Sequence, residues 1–453
     1  MSKPTPLSGF PELLPAQRHA ELAVLDHLRR VFELHGFTSI ETRAVEPLDR
    51  LMKSGEVDNE IYVLRRLQSD ATAADAGVGL HYDLTVPFAR YVLEHAGKLD
   101  FPFRRYQIQR AWRGERPQEG RFREFTQADI DVVAKDSLPF HYDVEVARVM
   151  AEALGALPVP PLRLQVNNRK LIEGFYRGLG VEDPAAVMRV IDKLDKQPVG
   201  AITQMLTTDA GLDHAQAEQC LRLADIRSRD GSFAQRVREL GVEHELLDVG
   251  LSELVAVVDG CRSLSNERFT VEADLRIARG LDYYTGTVFE TLMTGFEALG
   301  SICSGGRYDT LAADGSTTYP GVGISFGVSR TLMPLFSRDM LTASRSVPSA
   351  VLVALADEES RPVSDSVAGS LRARGVPTEV AASAQKFGKQ IRYAERRGIP
   401  FVWFPAGADA THQVKDIRTG DQVDADPDSW LPPPDDLRPQ VINHDTSSAR
   451  SKE

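Results

Sequence analysis

Cysteine is scarce in this chain of 453 residues: Cys220, Cys261 and Cys303 stand roughly forty positions apart. No Cys-x-x-Cys pair occurs, so neither a thiolate zinc site nor a disulfide framework is indicated, and buried reduced thiols are expected. Long apolar runs are missing too. None approaches the ~18–20 residues that span a bilayer, and the N-terminus MSKPTPLSGFPELLP has no basic flank followed by an apolar stretch. A cytoplasmic protein without a membrane segment is the expectation. A basic surplus is also lacking: the formal net charge of −12 argues against indiscriminate nucleic-acid binding. No Gly-x-x-x-x-Gly-Lys-Ser/Thr loop is present, and no Gly-x-Gly-x-x-Gly opens a helix after a strand. The ten histidines form no His-Glu-x-x-His pair, so zinc is not predicted.

The length calls for two or three domains. Residues 16–35 read as an amphipathic helix, with Leu22, Leu25, Leu28 and Phe32 three and four apart and Gly36 as its stop. Residues 38–48 read as a strand, 70–79 as an exposed loop, and Asp83-Leu84-Thr85 opens a helix through Tyr91. Segments 103–112 and 122–133 alternate as strands around a loop, Gly114 to Gly120, whose proline and glycines cannot continue either one. The proline-rich stretch at 156–162 marks a break, and 163–268 reads as a mainly helical insertion. Strand-like sequence returns at 269–277, 286–294 and 299–304, then an apolar run at 322–328. Beyond Pro334, apolar strands at 350–356 and 401–404 alternate with helices, one carrying Val363, Val367 and Leu371 on its inner face and a second at 386–397. That alternation indicates a separate α/β domain over about 347–431. From Pro432 the chain reads as a poorly ordered tail.

Four segments carry possible chemistry. Residues 101–125 hold seven arginines against Glu115, Glu119 and Glu124, a local excess of +4 suited to a polyanion. On the second strand of this hairpin Phe125, Gln127, Asp129 and Asp131 share a face. Two acids there are costly unless cations or ligand donors lie opposite. The second segment is Arg279-Gly280-Leu281-Asp282-Tyr283-Tyr284-Thr285-Gly286, the third Cys303-Ser304-Gly305-Gly306-Arg307-Tyr308-Asp309. The fourth, Gly321 to Arg330, is a glycine-rich strand feeding a helix near Ser329, which projects Arg330 from its first turn. Taken singly, each has a plainer reading: a solvated hairpin, a turn with its tyrosines in the core, a glycine turn, a packed strand–helix corner.

In this order the four segments resemble class II aminoacyl-tRNA synthetases. The hairpin is similar to that class's motif 2 and residues 321–333 to motif 3, while RGLDYYTG and SGGRYD resemble the two signature peptides of histidyl-tRNA synthetases. Lys386 to Gln390 and Val414 to Ile417 resemble the family's anticodon-binding domain. Thr42 is followed by Arg43, where motif 1 usually has proline.

The resemblance implies an α+β catalytic core over 1–335, with a mainly antiparallel sheet flanked by helices, and a C-terminal α/β anticodon-binding domain. It implies that ATP is a substrate accompanied by Mg2+, that L-histidine and tRNA(His) are the other substrates, and that the protein is a homodimer. Asp83, Leu84, Thr85 and Gln127 would hold the amino acid, with Asp131 and Tyr283 reading its imidazole and Tyr284 beside them. Arg113 and Arg279 would grip the α-phosphate and the carboxylate. Glu115, Arg121, Phe125 and Arg330 would hold the rest of ATP. Arg116 and the basic helix face Lys386, Lys389, Arg392 and Arg396 would meet tRNA, unless that face is merely solvated. The rival readings are a non-catalytic relative reused as a regulatory subunit or amino-acid sensor, and a synthetase for proline, threonine or glycine.

Overall fold

The computed structural model describes residues 4–52, 60–66, 77–277, 284–310, 312–315, 317–406 and 410–444. It divides into two compact units, one holding residues 27–334 with the N-terminal eleven, the other 335 onward with residues 12–26.

The first unit is built on a nine-stranded sheet. In chain order its strands are β1 (Thr38–Ser39), β2 (Phe103–Trp112), β3 (Glu124–Val133), β4 (Leu162–Asn168), β5 (Arg227–Ser228), β6 (Phe269–Asp274), β7 (Tyr284–Met293), β8 (Cys303–Tyr308) and β9 (Gly321–Gly327). Across the sheet they run β1-β2-β3-β9-β8-β7-β4-β6-β5. Only β1–β2 and β4–β6 pair in parallel, so the sheet is mainly antiparallel. The two hairpin strands form at their expected positions because aromatic and β-branched residues alternate along them. The topology then slots β9, almost two hundred residues later, directly beside β3.

The structure departs from three local expectations. Helix α1 (Pro15–Leu34) leaves Leu22 exposed and buries Val24 instead. Residues 38–48 form two short strands rather than one, because Val45–Pro47 leaves the main sheet to pair with Val78–Leu80. The insertion starts after Asn168: Leu162, Leu164 and Val166 alternate inward, and β4 is an interior strand between β6 and β7.

Helix α2 (Thr85–His95) follows Asp83, whose Oδ1 accepts from the Val86 amide at 3.0 Å. Helix α3 (His141–Gly155) buries Val146, Val149, Met150 and Leu154. In the insertion, α4 (Arg169–Gly178) is capped by the Asn168 side chain and crosses α5 (Glu245–Cys261) backbone to backbone. A Cβ on Gly174 would stand 2.2 Å from the Leu247 amide nitrogen, and one on Gly250 the same distance from that of Leu171. The unit closes with α6 (Val328–Ser337).

The second unit has a five-stranded sheet of β10 (Val351–Val353), β11 (Thr378–Val380), β12 (Phe401–Phe404), β13 (Gln413–Asp416) and β14 (Gln422–Asp424), ordered β11-β10-β12-β13-β14. β10 pairs in parallel with both β11 and β12, and cover on both faces explains the unbroken apolar runs. Val351, Val353, Phe401 and Trp403 share a core with Val367 and Leu371 of α7 (Arg361–Ala373), while Leu352 and Val402 pack with Ala394 of α8 (Phe387–Arg397). Val363, expected on the inner face of α7, is exposed. Ser364 takes its place, donating to the Ala354 carbonyl. Residues after Pro432, expected as a loose tail, continue in order to His444, because Val441–Asn443 forms an antiparallel pair with Leu341–Ala343. Among the described residues no helix is long and apolar enough to cross a membrane.

Candidate active site

The even-numbered spacing of β3 puts Phe125, Gln127, Asp129 and Asp131 on one face, which floors two adjoining cavities. The larger, about 110 Å3, is lined by Arg113, Glu115, Arg121, Phe125, Gln127 and Arg330 among others. The smaller, about 20 Å3, is lined by Thr85, Asp129, Asp131, Tyr284, Tyr308 and Gly323 among others. Ser304 and Ser325 border both.

The larger cavity is cationic. Arg113 donates from Nε to the Tyr82 carbonyl at 3.0 Å, and its guanidinium lies 5.2 Å from the centre of the Phe125 ring. Arg121 pairs with Glu115 at 3.3 Å. Arg330 rises from the first turn of α6 and donates from Nη2 to the Leu299 carbonyl, while its buried Nε has no partner. Burial first, then Arg121, holds its pKa down to about 10. Three guanidinium groups held around so small a space favour an anion of high charge density.

The smaller cavity is acidic, and its chemistry depends on a residue that counting charge along the chain misreads. Arg105, one of the seven arginines, is fully buried, with its guanidinium over the Phe88 ring at 4.3 Å. It stands across the hairpin from Asp131, and Nη2 lies 2.7 Å from Asp131 Oδ2 and 4.0 Å from an Asp129 oxygen. The approach to Asp131 is too oblique for a hydrogen bond, so this is an ion pair only. Reflecting the hairpin through Gln118 pairs position 105 with 131, so the sequence held the signal. Tyr308 donates to Asp131 Oδ1 at 2.8 Å. Burial pushes the Asp131 carboxyl up to about 6 and that of Asp129 to about 7, against the opposing pull of Arg105. Asp83, also buried, is raised for the same reason.

Glycines make room for this arrangement. A Cβ on Gly323 would meet Asp131 Oδ1 at 2.0 Å, and one on Gly305 would meet the Gly323 carbonyl oxygen at 2.1 Å. The Arg307 of the same peptide turns away from both cavities. It is buried against Asp143, 2.6 Å away, and donates to the carbonyls of Leu138 and Pro139. Thr287 donates to the same carboxylate at 2.6 Å. This peptide therefore contributes a structural anchor, Arg307, and a site residue, Tyr308, that sequence reasoning had not singled out.

Two acceptors are left unanswered. Gln127 donates to Ser325 Oγ at 2.8 Å, but its Oε1 and the Oδ1 of Asp129 are buried without partners. Buried acceptors in that state call for donors from a ligand or from water.

Of the other expected residues, Asp83 and Leu84 are buried at the start of α2 without lining either cavity. Arg279 and Tyr283 lie outside the described residues, although β7 begins at Tyr284. Arg116 is exposed on the hairpin loop. In the second unit Lys386, Lys389, Arg392 and Arg396 are all exposed. The last three line a groove of about 520 Å3 with Tyr393, Gln385 and Ser383.

Comparison with known proteins agrees with this geometry. The family model described as histidyl-tRNA synthetase matches residues 9–331, and one described as an anticodon binding domain matches 349–430. A histidine–tRNA ligase from Micrococcus luteus is 58% identical over 97% of this chain and 99% of its own. The crystal structure of histidyl-tRNA synthetase from a Nostoc species superposes with a TM-score of 0.83 at 35% identity, covering 94% of this chain and 97% of that one. A structure described as an ATP phosphoribosyltransferase regulatory subunit/histidyl-tRNA synthetase from Bacillus halodurans, 19% identical with a TM-score of 0.71, covers 86% of this chain and 97% of that one and shares the fold. On the family model and the near-complete relatives together, the chain belongs to the histidyl-tRNA synthetase family.

Proposed function

We propose that this protein activates L-histidine with ATP, releasing pyrophosphate, and then transfers the histidyl group to the 3′ end of tRNA(His). The observation that carries the reading is the joining of an acidic cavity to a cationic one along a single strand face. An amino acid with its ammonium and imidazole over Gln127 to Asp131 would have its carboxylate directed toward the arginines.

In the first step a histidine carboxylate oxygen forms a bond to the α-phosphorus as the bond to the β-phosphate oxygen breaks. Both partners are anionic, so Arg113, with Arg279, would offset their repulsion and stabilise the charge that grows on the α-phosphate. Gln127 Oε1 and Thr85, with Asp83 behind, would hold the α-ammonium. Holding both substrates in line supplies much of the remaining acceleration. Arg330, Arg121, Glu115 and Phe125 would hold the nucleotide. An adenine between Phe125 and Arg330 would stack on the ring through one face and take a cation–π contact from the guanidinium through the other.

Choice of amino acid would fall to Asp131, with Tyr283 and Tyr284. Asp131 is held from behind by Arg105 and Tyr308, so it keeps lone pairs for an imidazole N–H. A side chain without that donor leaves a buried carboxylate unanswered, which is the stronger form of discrimination. In the second step the terminal adenosine hydroxyl attacks the histidyl carbonyl carbon and AMP leaves. The groove beside α8, with Lys389, Arg392 and Arg396, is the proposed tRNA contact.

Mg2+ is expected with ATP. Among the described residues no three His, Cys, Asp or Glu side chains gather to hold a metal, so the ion would be carried by the nucleotide phosphates and supply charge neutralisation there. A homodimer in the cytoplasm completes the proposal. Charging of a tRNA(His) transcript with labelled histidine tests it: histidine should be incorporated, and proline, threonine and glycine should not. Incorporation of any of those three, or of none, would defeat the reading.

A further inference from the structure

Asp129 has no part in the roles above, yet it is 2% exposed in the middle of the acidic cavity. Its surroundings set its charge. On its own strand Asp131 lies two residues away on the same face. From β2, Arg105 is the nearest cation and Gln107 is its cross-strand partner. From β9, Ser325 stands opposite and its side chain hydrogen-bonds the Asp129 carboxyl, favouring the ionised form without bringing a charge, and from β8 come Tyr308 and the Cys303 thiol. From the turn before α2, Asp83 adds a third carboxyl, but that one has Arg113 and His81 near it as well as Arg105. The deeper pair, Asp129 and Asp131, therefore shares one guanidinium between two carboxyls. Arg105 is 2.7 Å from Asp131 and 4.0 Å from Asp129, and the Tyr308 hydroxyl donates to Asp131. Asp129 Oδ1 is left with no partner.

Among the described residues no second cation faces the pair when the site is empty, so a second full negative charge at that depth is costly. An α-ammonium near Gln127, two residues from Asp129 on the same strand face, supplies the missing unit of positive charge. We infer that Asp129 carries a proton in the empty site and releases it to solvent when the α-ammonium of histidine arrives, which makes Asp129 the charge-balancing residue of amino-acid binding. In this exchange the O–H bond of the Asp129 acid breaks, the proton goes to buffer, and the carboxylate is paired by the ammonium. Burial of Asp129, which raises its pKa to about 7, puts the exchange in an accessible pH range. The inference rests on the proposed histidine site.

The test is calorimetric titration of the full-length protein with L-histidine in buffers of different ionisation heat, which counts protons released. At about pH 6 the wild-type chain should release close to one more proton per histidine than Asp129→Asn does, and the difference should vanish by about pH 9, where Asp129 is already ionised. The titration of histidine's own imidazole is common to both proteins and cancels in the comparison. Histidine affinity of the wild type should climb with pH relative to that of the variant. Equal release by the two proteins would place the proton on another group and overturn the inference. Should Asp129→Asn fail to fold or bind, the wild-type series decides once the release or uptake due to histidine's own imidazole and α-ammonium is subtracted: a remainder undiminished at about pH 9, or absent at about pH 6, refutes it. Failure of the wild type to bind histidine in every buffer would instead overturn the reading of the site itself.

Discussion

Tyr308→Phe removes one oxygen from the acidic cavity and leaves the ring that Gly321 accommodates. The lost atom is the donor 2.8 Å from Asp131 Oδ1. A hydrogen bond to a charged acceptor contributes ~1.5–3 kcal/mol, and each 1.4 kcal/mol is about a factor of ten in an equilibrium constant. The bond exists before histidine arrives, so its full contribution is a ceiling. If Asp131 reads the imidazole, the histidine KM should rise severalfold and at most roughly 10- to 100-fold, while the ATP KM should hardly change because Tyr308 does not line the nucleotide cavity. The pH profile should move as well. The Tyr308 hydrogen bond opposes the burial that raises Asp131 to about 6. Without it the carboxyl titrates higher, and the pH above which histidine KM levels off should shift upward. Initial rates of ATP–pyrophosphate exchange, measured against each substrate in turn across the pH range, check all three effects. A histidine KM within twofold of wild type, or equal rises for histidine and ATP, would refute the role given to Asp131 and its partner.

Gly323→Ala should be more damaging to histidine use than its size suggests, because the added methyl would meet Asp131 Oδ1 at 2.0 Å. Loss of histidine-dependent exchange by at least tenfold is expected, and unchanged exchange would mean the carboxylate is not needed where it stands. Arg279→Ala should reduce adenylation by several orders of magnitude with an unaltered circular dichroism spectrum; near-wild-type exchange would remove it from the catalytic role. Lys389→Ala combined with Arg392→Ala should leave exchange intact and raise the tRNA KM several-fold with a weaker salt dependence. Unchanged charging kinetics would assign the α8 groove another task.

The two hairpin strands were legible within a residue or two because period-two alternation is a local property. The glycine-rich strand β9 and the helix bearing Arg330 were legible for the same reason. What local reading could not supply is depth. Seven arginines looked like a surface for polyanions, yet Arg105 is sealed in the sheet, and Arg104 pairs with Glu145 and donates to the His35 carbonyl. Charge along a chain says nothing of which strand face a side chain takes or what later strand covers it. β4 was absorbed into a helical insertion because seven residues ahead of a long helical stretch give too short a pattern. The ordered chain past Pro432 was missed because its strand partner, Leu341–Ala343, lies a hundred residues earlier. The site itself was visible only as separate peptides. Asp131 and Tyr308, 177 positions apart, meet through the order in which β3, β9 and β8 lie in the sheet.

At the centre of the proposed chemistry lies activation of histidine by the joined acidic and cationic cavities. ATP–pyrophosphate exchange by the purified protein, run separately with each of the twenty amino acids, tests it most directly. Exchange is expected with L-histidine and not with the others. Exchange driven by a different amino acid, or none with histidine, would contradict it.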